Sequence, residues 1–115
     1  MRTLNDYFVY GEIADISTAS STFVAVPDGG KIIKIATALQ GAISGGDAAI
    51  TFELGGTAVT GGAITVANSG SAAGDVDTAE PTAANDVAED GTIEMITNGG
   101  STGAQKLCVT FTIRR

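Results

Sequence analysis

The residues of this chain that could do chemistry are few, and they do not make a set. There is no histidine, which removes the commonest general base and the commonest transition-metal ligand. Asp75-Val76-Asp77 with Glu80 following is the one arrangement that resembles a metal site. Calcium takes about six to eight oxygen ligands from clustered carboxylates and carbonyls, and these three side chains could supply three of them. The rest of an EF-hand's spacing and its closing glutamate are missing, so the expectation is a solvated acidic segment without a metal. Cys108 is the single cysteine; it cannot form an intrachain disulfide, and with no base nearby it reads as a packed strand residue. Glu53 and Glu94 fall in strand-like runs as isolated carboxylates, which reads as solvation. Gly29-Gly30-Lys31 lacks the Lys-Ser/Thr and the helix of a phosphate loop and continues into isoleucines in strand pattern. The residues therefore predict no catalytic group, no cofactor, no metal and no enzyme.

The elements that carry these residues are short. At 115 residues the chain fits one domain. Hydrophobic residues make up 43% of it, but many are alanine and there is no Trp, so the monomer core looks thin and burial against a sister subunit is the simplest remedy. Net charge is −7, and from Gly41 to Gln105 there are nine acidic residues and no Lys or Arg. Nucleic-acid binding depends largely on cations that neutralise phosphates, so an acidic middle argues against it. No run approaches the roughly 18 apolar residues of a membrane span, and the first 16 residues carry Asp6, Glu12 and Asp15 rather than a signal-peptide core. The expectation is a soluble protein made in a reducing cytoplasm.

Residues 48–70 hold the clearest strand pattern in the middle of the chain. Ile50, Phe52 and Leu54 alternate with Ala49, Thr51 and Glu53, and Ile64 and Val66 resume after two Gly-Gly pairs. Residues 22–26 read as a strand ended by Pro27-Asp28-Gly29-Gly30. Residues 31–39 read as another, with Ile33, Ile35, Thr37 and Leu39 on one face. Residues 92–97 lie between Asp90-Gly91 and Asn98-Gly99-Gly100 turns. Residues 105–115 put Leu107, Val109, Phe111 and Ile113 on one face and read as a central strand. Residues 68–90 read as a long acidic loop, with a short strand or helical turn within 82–88. Residues 1–21 are either an edge strand or an arm that packs on a partner. The sum is an all-β domain over 22–115, a small antiparallel β-sandwich of jelly-roll type.

The proline-ended strand into Gly30-Lys31-Ile32, the block ITFELGGTAVTGGAIT of residues 50–65, and the run SAAGDVD…PTAAN…V…DGTIE of residues 71–94 together resemble the decoration, or cement, proteins of tailed bacteriophages. The resemblance spans about residues 22–115 and includes no catalytic signature. It implies a homotrimeric β-sandwich on the outer surface of an HK97-like head, in the virion, where it clamps neighbouring major capsid subunits against the pressure of packaged DNA. Its partners would be the major capsid protein and copies of itself, with no nucleic acid and no membrane.

Within that reading, Arg2 and the patch Tyr7, Phe8, Val9 and Tyr10 are the expected capsid or subunit contacts, since Tyr and Phe supply large anchoring area; Arg114 and Arg115 are weaker candidates. Competing readings are another virion component, such as a minor tail or head-fibre module, and a bacterial surface or adhesin-like domain that binds sugars or calcium.

Overall fold

The computed structural model describes residues 5–115, which contain ten strands: β1 (Asp6–Ile13), β2 (Ser20–Val26), β3 (Gly30–Leu39), β4 (Ala48–Leu54), β5 (Thr57–Ala58), β6 (Ile64–Val66), β7 (Val76–Ala79), β8 (Asp86–Val87), β9 (Gly91–Thr97) and β10 (Leu107–Arg114). A front sheet runs β1-β10-β3-β7, with β8 also on β3; a back sheet runs β2-β9-β4-β5, with β6 also on β4. Every pairing is antiparallel. The chain crosses between sheets from β1 to β2, to β3, and to β4, stays in the back sheet through β6, then crosses to β7. After β8 it crosses to β9 and finally to β10. This is the jelly-roll path, so the all-β sandwich expected from the turn spacing is the fold of the protein.

The two sheets meet over alternating apolar residues. In β10 every second residue from Leu107 to Ile113 is buried, and in β9 Ile93 and Met95 are. Phe52 of the back sheet meets Phe111 of the front sheet edge-to-face, with centroids 5.5 Å apart and planes at 90°, an arrangement the ring quadrupoles favour. Aliphatic Ile, Leu and Val fill most of the remaining core.

Two details differ from the sequence pattern. In β3 it is Ile32, fully buried, that joins Ile35, Thr37 and Leu39 on the inner face, while Ile33 is only half-buried. Ile113 pairs with Ile32 but Thr112 pairs with Lys34, so Ile33 is an extra residue in the ladder. A bulge of this kind resets the two-residue phase, which simple alternation cannot anticipate.

Residues 68–90 contain β7 and β8, both laid antiparallel on β3. Their side chains are Ala, Thr, Val and Asp, and backbone bonds hold them: Leu39 N donates to Asp75 O (2.8 Å), Gly74 N to Leu39 O (2.7 Å) and Ile32 N to Asn85 O (2.9 Å). The buried Asn85 side chain returns a hydrogen bond from Nδ2 to Ile32 O (2.6 Å). Val87 of β8 is buried in the core, and the other side chains of the two strands leave little hydrophobic signature.

The chain's first described strand is part of the front sheet. β1 pairs with β10 from Asp6↔Arg114 to Ile13↔Leu107. Beyond it, Ile16 is fully buried and accepts a hydrogen bond from Thr97 Oγ1 at its carbonyl (2.9 Å).

Candidate interaction surface

β1 has one inward and one outward row. Val9 and Ile13 are buried beside Gly11, and Tyr7 is half-buried on the same row. The Tyr7 hydroxyl donates to Gly29 O (2.7 Å) and its ring lies 5.9 Å from the Arg115 guanidinium carbon. Burial, with the Asp28 charge second, raises the Tyr7 pKa. Phe8 and Tyr10 are on the outward row, 51% and 55% exposed. The contact patch expected from sequence is thus split: Phe8 and Tyr10 face solvent, while Tyr7 and Val9 belong to the inner side. Arg114 is drawn into a two-pronged pair with Asp6 (2.8 and 3.0 Å), which raises its pKa, and Arg115 pairs with Asp28. Arg2 lies outside the described residues.

Tyr10 anchors a small network on the front face. Its hydroxyl lies 2.7 Å from Glu12 Oε2, to which it donates, and 3.1 Å from Cys108 Sγ; Glu12 also meets Lys106 Nζ at 3.4 Å. These contacts, Cys108 first and Glu12 second, raise the Tyr10 pKa, and the Tyr10 hydroxyl with Lys106 lowers that of Glu12. The same ladder rows continue across small side chains: Tyr10 faces Thr110, which faces Ala36, and Glu12 faces Cys108, which faces Ala38. On the far side Val76, 64% exposed, faces Ala38. The outer front face is a floor of Ala, Thr and Cys with Phe8 and Tyr10 at one rim and Val76 at the other.

The back sheet's outer face differs. Phe23, 62% exposed on β2, faces Glu94 on β9, and Glu94 faces Glu53 on β4. No strand of this sheet contains a Lys or Arg; all five described cations lie on or beside β3 and β10. The period-two pattern of residues 22–26 had the signal for Phe23, because Val24 and Val26 take the opposite side of the strand. Its importance depends on exposure, which a single sequence does not reveal.

The residues weighed for metal binding do not gather: among the described residues no group of three or more Cys, Asp or Glu is placed to hold an ion. Asp75 instead accepts the Ala72 amide (2.9 Å) and closes its own turn. A shallow recess lined by Leu54, Asp86, Val87 and Thr92 has Asp86 as its one titratable side chain, 3.9 Å from Lys31. Among the described residues no helix is long and apolar enough to cross a membrane.

No protein-family model matches the chain, and no curated protein does. Among solved structures, a chain of the cyanophage Pam1 capsid asymmetric unit is similar over 95% of this chain and 85% of its own, with a TM-score of 0.52 and 12% identity. At that identity the likeness establishes a shared fold.

Proposed function

We propose that this protein is a non-enzymatic structural part of a tailed-phage virion, a decoration protein that binds the outer surface of the head and holds neighbouring capsid subunits together. The observation that carries the reading is the jelly-roll fold shared almost end to end with a chain of a phage capsid asymmetric unit. The surface supports it. Large apolar side chains stand exposed on edge strands, as an interface needs. Its partners are the major capsid protein and further copies of itself, in a homotrimer. Clamping needs only moderate affinity at each contact, because linked contacts act together.

The test is to mix purified protein with expanded heads of the phage that encodes it and image them. Stoichiometric density at points where capsid subunits meet, with greater resistance of the decorated heads to heat, is the expected result. Heads that stay bare at saturating protein would overturn the reading.

A further inference from the structure

All three strongly exposed aromatic rings of the described residues, Phe8, Tyr10 and Phe23, lie on the two strands that close one side of the sandwich. β1 and β2 are the terminal strands of their sheets. They lean on each other closely enough that a Cβ on Gly11 would stand 2.5 Å from Val24 Cγ2. On β1 the rings of Phe8 and Tyr10 look outward from the front sheet; on β2 the ring of Phe23 looks outward from the back sheet. One edge of the molecule therefore has aromatic residues on both flanks.

Charge distinguishes the flanks. Phe8 faces Thr112, which faces Lys34, so a lysine shares the row of the front-flank ring. Lys31, Lys106, Arg114 and Arg115 each meet a carboxylate within the chain, whereas Lys34 is exposed and in no ion pair among the described residues. On the back flank, Phe23 shares its row with Glu94 and Glu53, on a sheet without cations.

We propose that copies of this chain associate by packing the front flank of this edge against the back flank of the next copy. Phe8 and Tyr10 meet Phe23, and Lys34 meets Glu94 and Glu53. A head-to-tail contact sets Lys34 against Glu94 and Glu53, whereas the back flank packed on itself would oppose glutamates to glutamates, which disfavours that pairing. A head-to-tail contact makes a ring when its rotation closes. The inference rests on the self-association part of the proposed function and not on capsid contact.

Charge reversal tests it. Sedimentation velocity across a concentration series would compare the wild type with Lys34→Glu, Glu94→Lys, the double variant and Phe23→Ser. Wild type should associate, and each charge reversal should weaken association by at least about tenfold. The double variant should recover to within about threefold of wild type, while Phe23→Ser weakens association without rescue. Lys34 and Glu94 lie on the outer faces of different sheets, so recovery cannot come from an ion pair within one chain. Single reversals without effect, a double variant no better than the singles, or a wild type that stays monomeric throughout would overturn the contact. Head binding measured on the same samples keeps the two readings apart. A monomeric wild type that decorates heads overturns only this contact. A wild type that self-associates with the expected charge pattern but ignores heads overturns only the capsid reading.

Discussion

The two sheets are nearly interchangeable on the inside and unlike on the outside. Each turns alternate apolar residues inward, and each contributes one ring to the Phe52–Phe111 pair. Outward, the front sheet has all the described cations beside it and a floor of small residues, while the back sheet sets two glutamates opposite each other with Phe23 in the same row. The interior asks only for apolar side chains of suitable size, so it contains little information about function. The outer faces are free to differ, and their difference is what recognition can use.

The strongest way to break that comparison is to remove half of the front edge. Deleting residues 1–10 strips the ladder from Asp6↔Arg114 to Tyr10↔Thr110 and exposes the β10 edge that β1 covers. The shortened chain should lose cooperative unfolding in urea, as followed by circular dichroism. An unchanged urea midpoint would show that β1 is an arm and not part of the sandwich. Next in size are the two rings. Phe111→Ala and Phe52→Ala should each cost about 3–5 kcal/mol, a large share of the roughly 5–15 kcal/mol typical of a domain. If the inner faces are equivalent, the two losses will be similar, and the double variant will lose less than their sum by about 0.5–1.5 kcal/mol. A fully additive pair would mean that the rings do not support each other across the sandwich.

Much of the fold was legible because its core strands obey alternation. Leu107 to Ile113 and Ile50 to Phe52 fall on the buried face as their spacing predicts. The misplacement of Ile33 has a specific cause: one bulged residue shifts every outer neighbour N-terminal to it, and nothing in the residue types around Ile33 marks the bulge. β7 was hidden for another reason, while β8 falls within residues 82–88, where a short strand or helical turn is expected. β7 is held by pairing with β3 and packs only Ala79 against the core, whereas β8 pairs with β3 beside Asn85 and buries Val87. For the interaction surface, the aromatic cluster at residues 7–10 was visible, but its division into inner Tyr7 and Val9 and outer Phe8 and Tyr10 required the ladder. Phe23 and Lys34 were missed as surface candidates because each sits in an ordinary strand. They become notable only when Phe23 is seen on the same edge as Phe8 and Tyr10, and Lys34 in the row of Phe8.

The front face also has a pH dependence of its own. Hydrogen bonds from Tyr10 and the nearby Lys106 hold the Glu12 carboxyl below its usual range, and Ser17, through its hydroxyl and its amide, does the same for Asp15. For carboxylates depressed by folding, the unfolded chain binds more protons over the interval between the two pKa values. Stability contributed by these groups is therefore complete above the unfolded value, near pH 4, and is lost as pH falls through the lower folded values. Urea midpoints should be flat from neutrality to about pH 5 and decline below it. A Glu12→Gln, Asp15→Asn variant should show a shallower acid limb. An identical acid limb in the variant would remove these two groups from the account.

The smallest expected effect is the most revealing about the back sheet. Glu53 and Glu94 occupy directly opposite positions on its outer face, where like charges are destabilising by about 0.2–1 kcal/mol. Glu94→Gln should therefore raise the urea midpoint of the monomer slightly, and added salt should shrink the gain by screening the wild-type repulsion. The matched change on the front sheet, Lys31→Gln, breaks a long, exposed pair with Asp86 and should move the midpoint by at most ~1 kcal/mol in the opposite direction. If Glu94→Gln lowered stability instead, the glutamate would be making a favourable contact within its own chain, and the contrast between the faces would fail. If the gain appears while the same variant weakens self-association, the back sheet carries a repulsion that a neighbour's lysine relieves. Stability alone gives no reason to keep such a pair, whereas a surface that must accept a cation from another copy does.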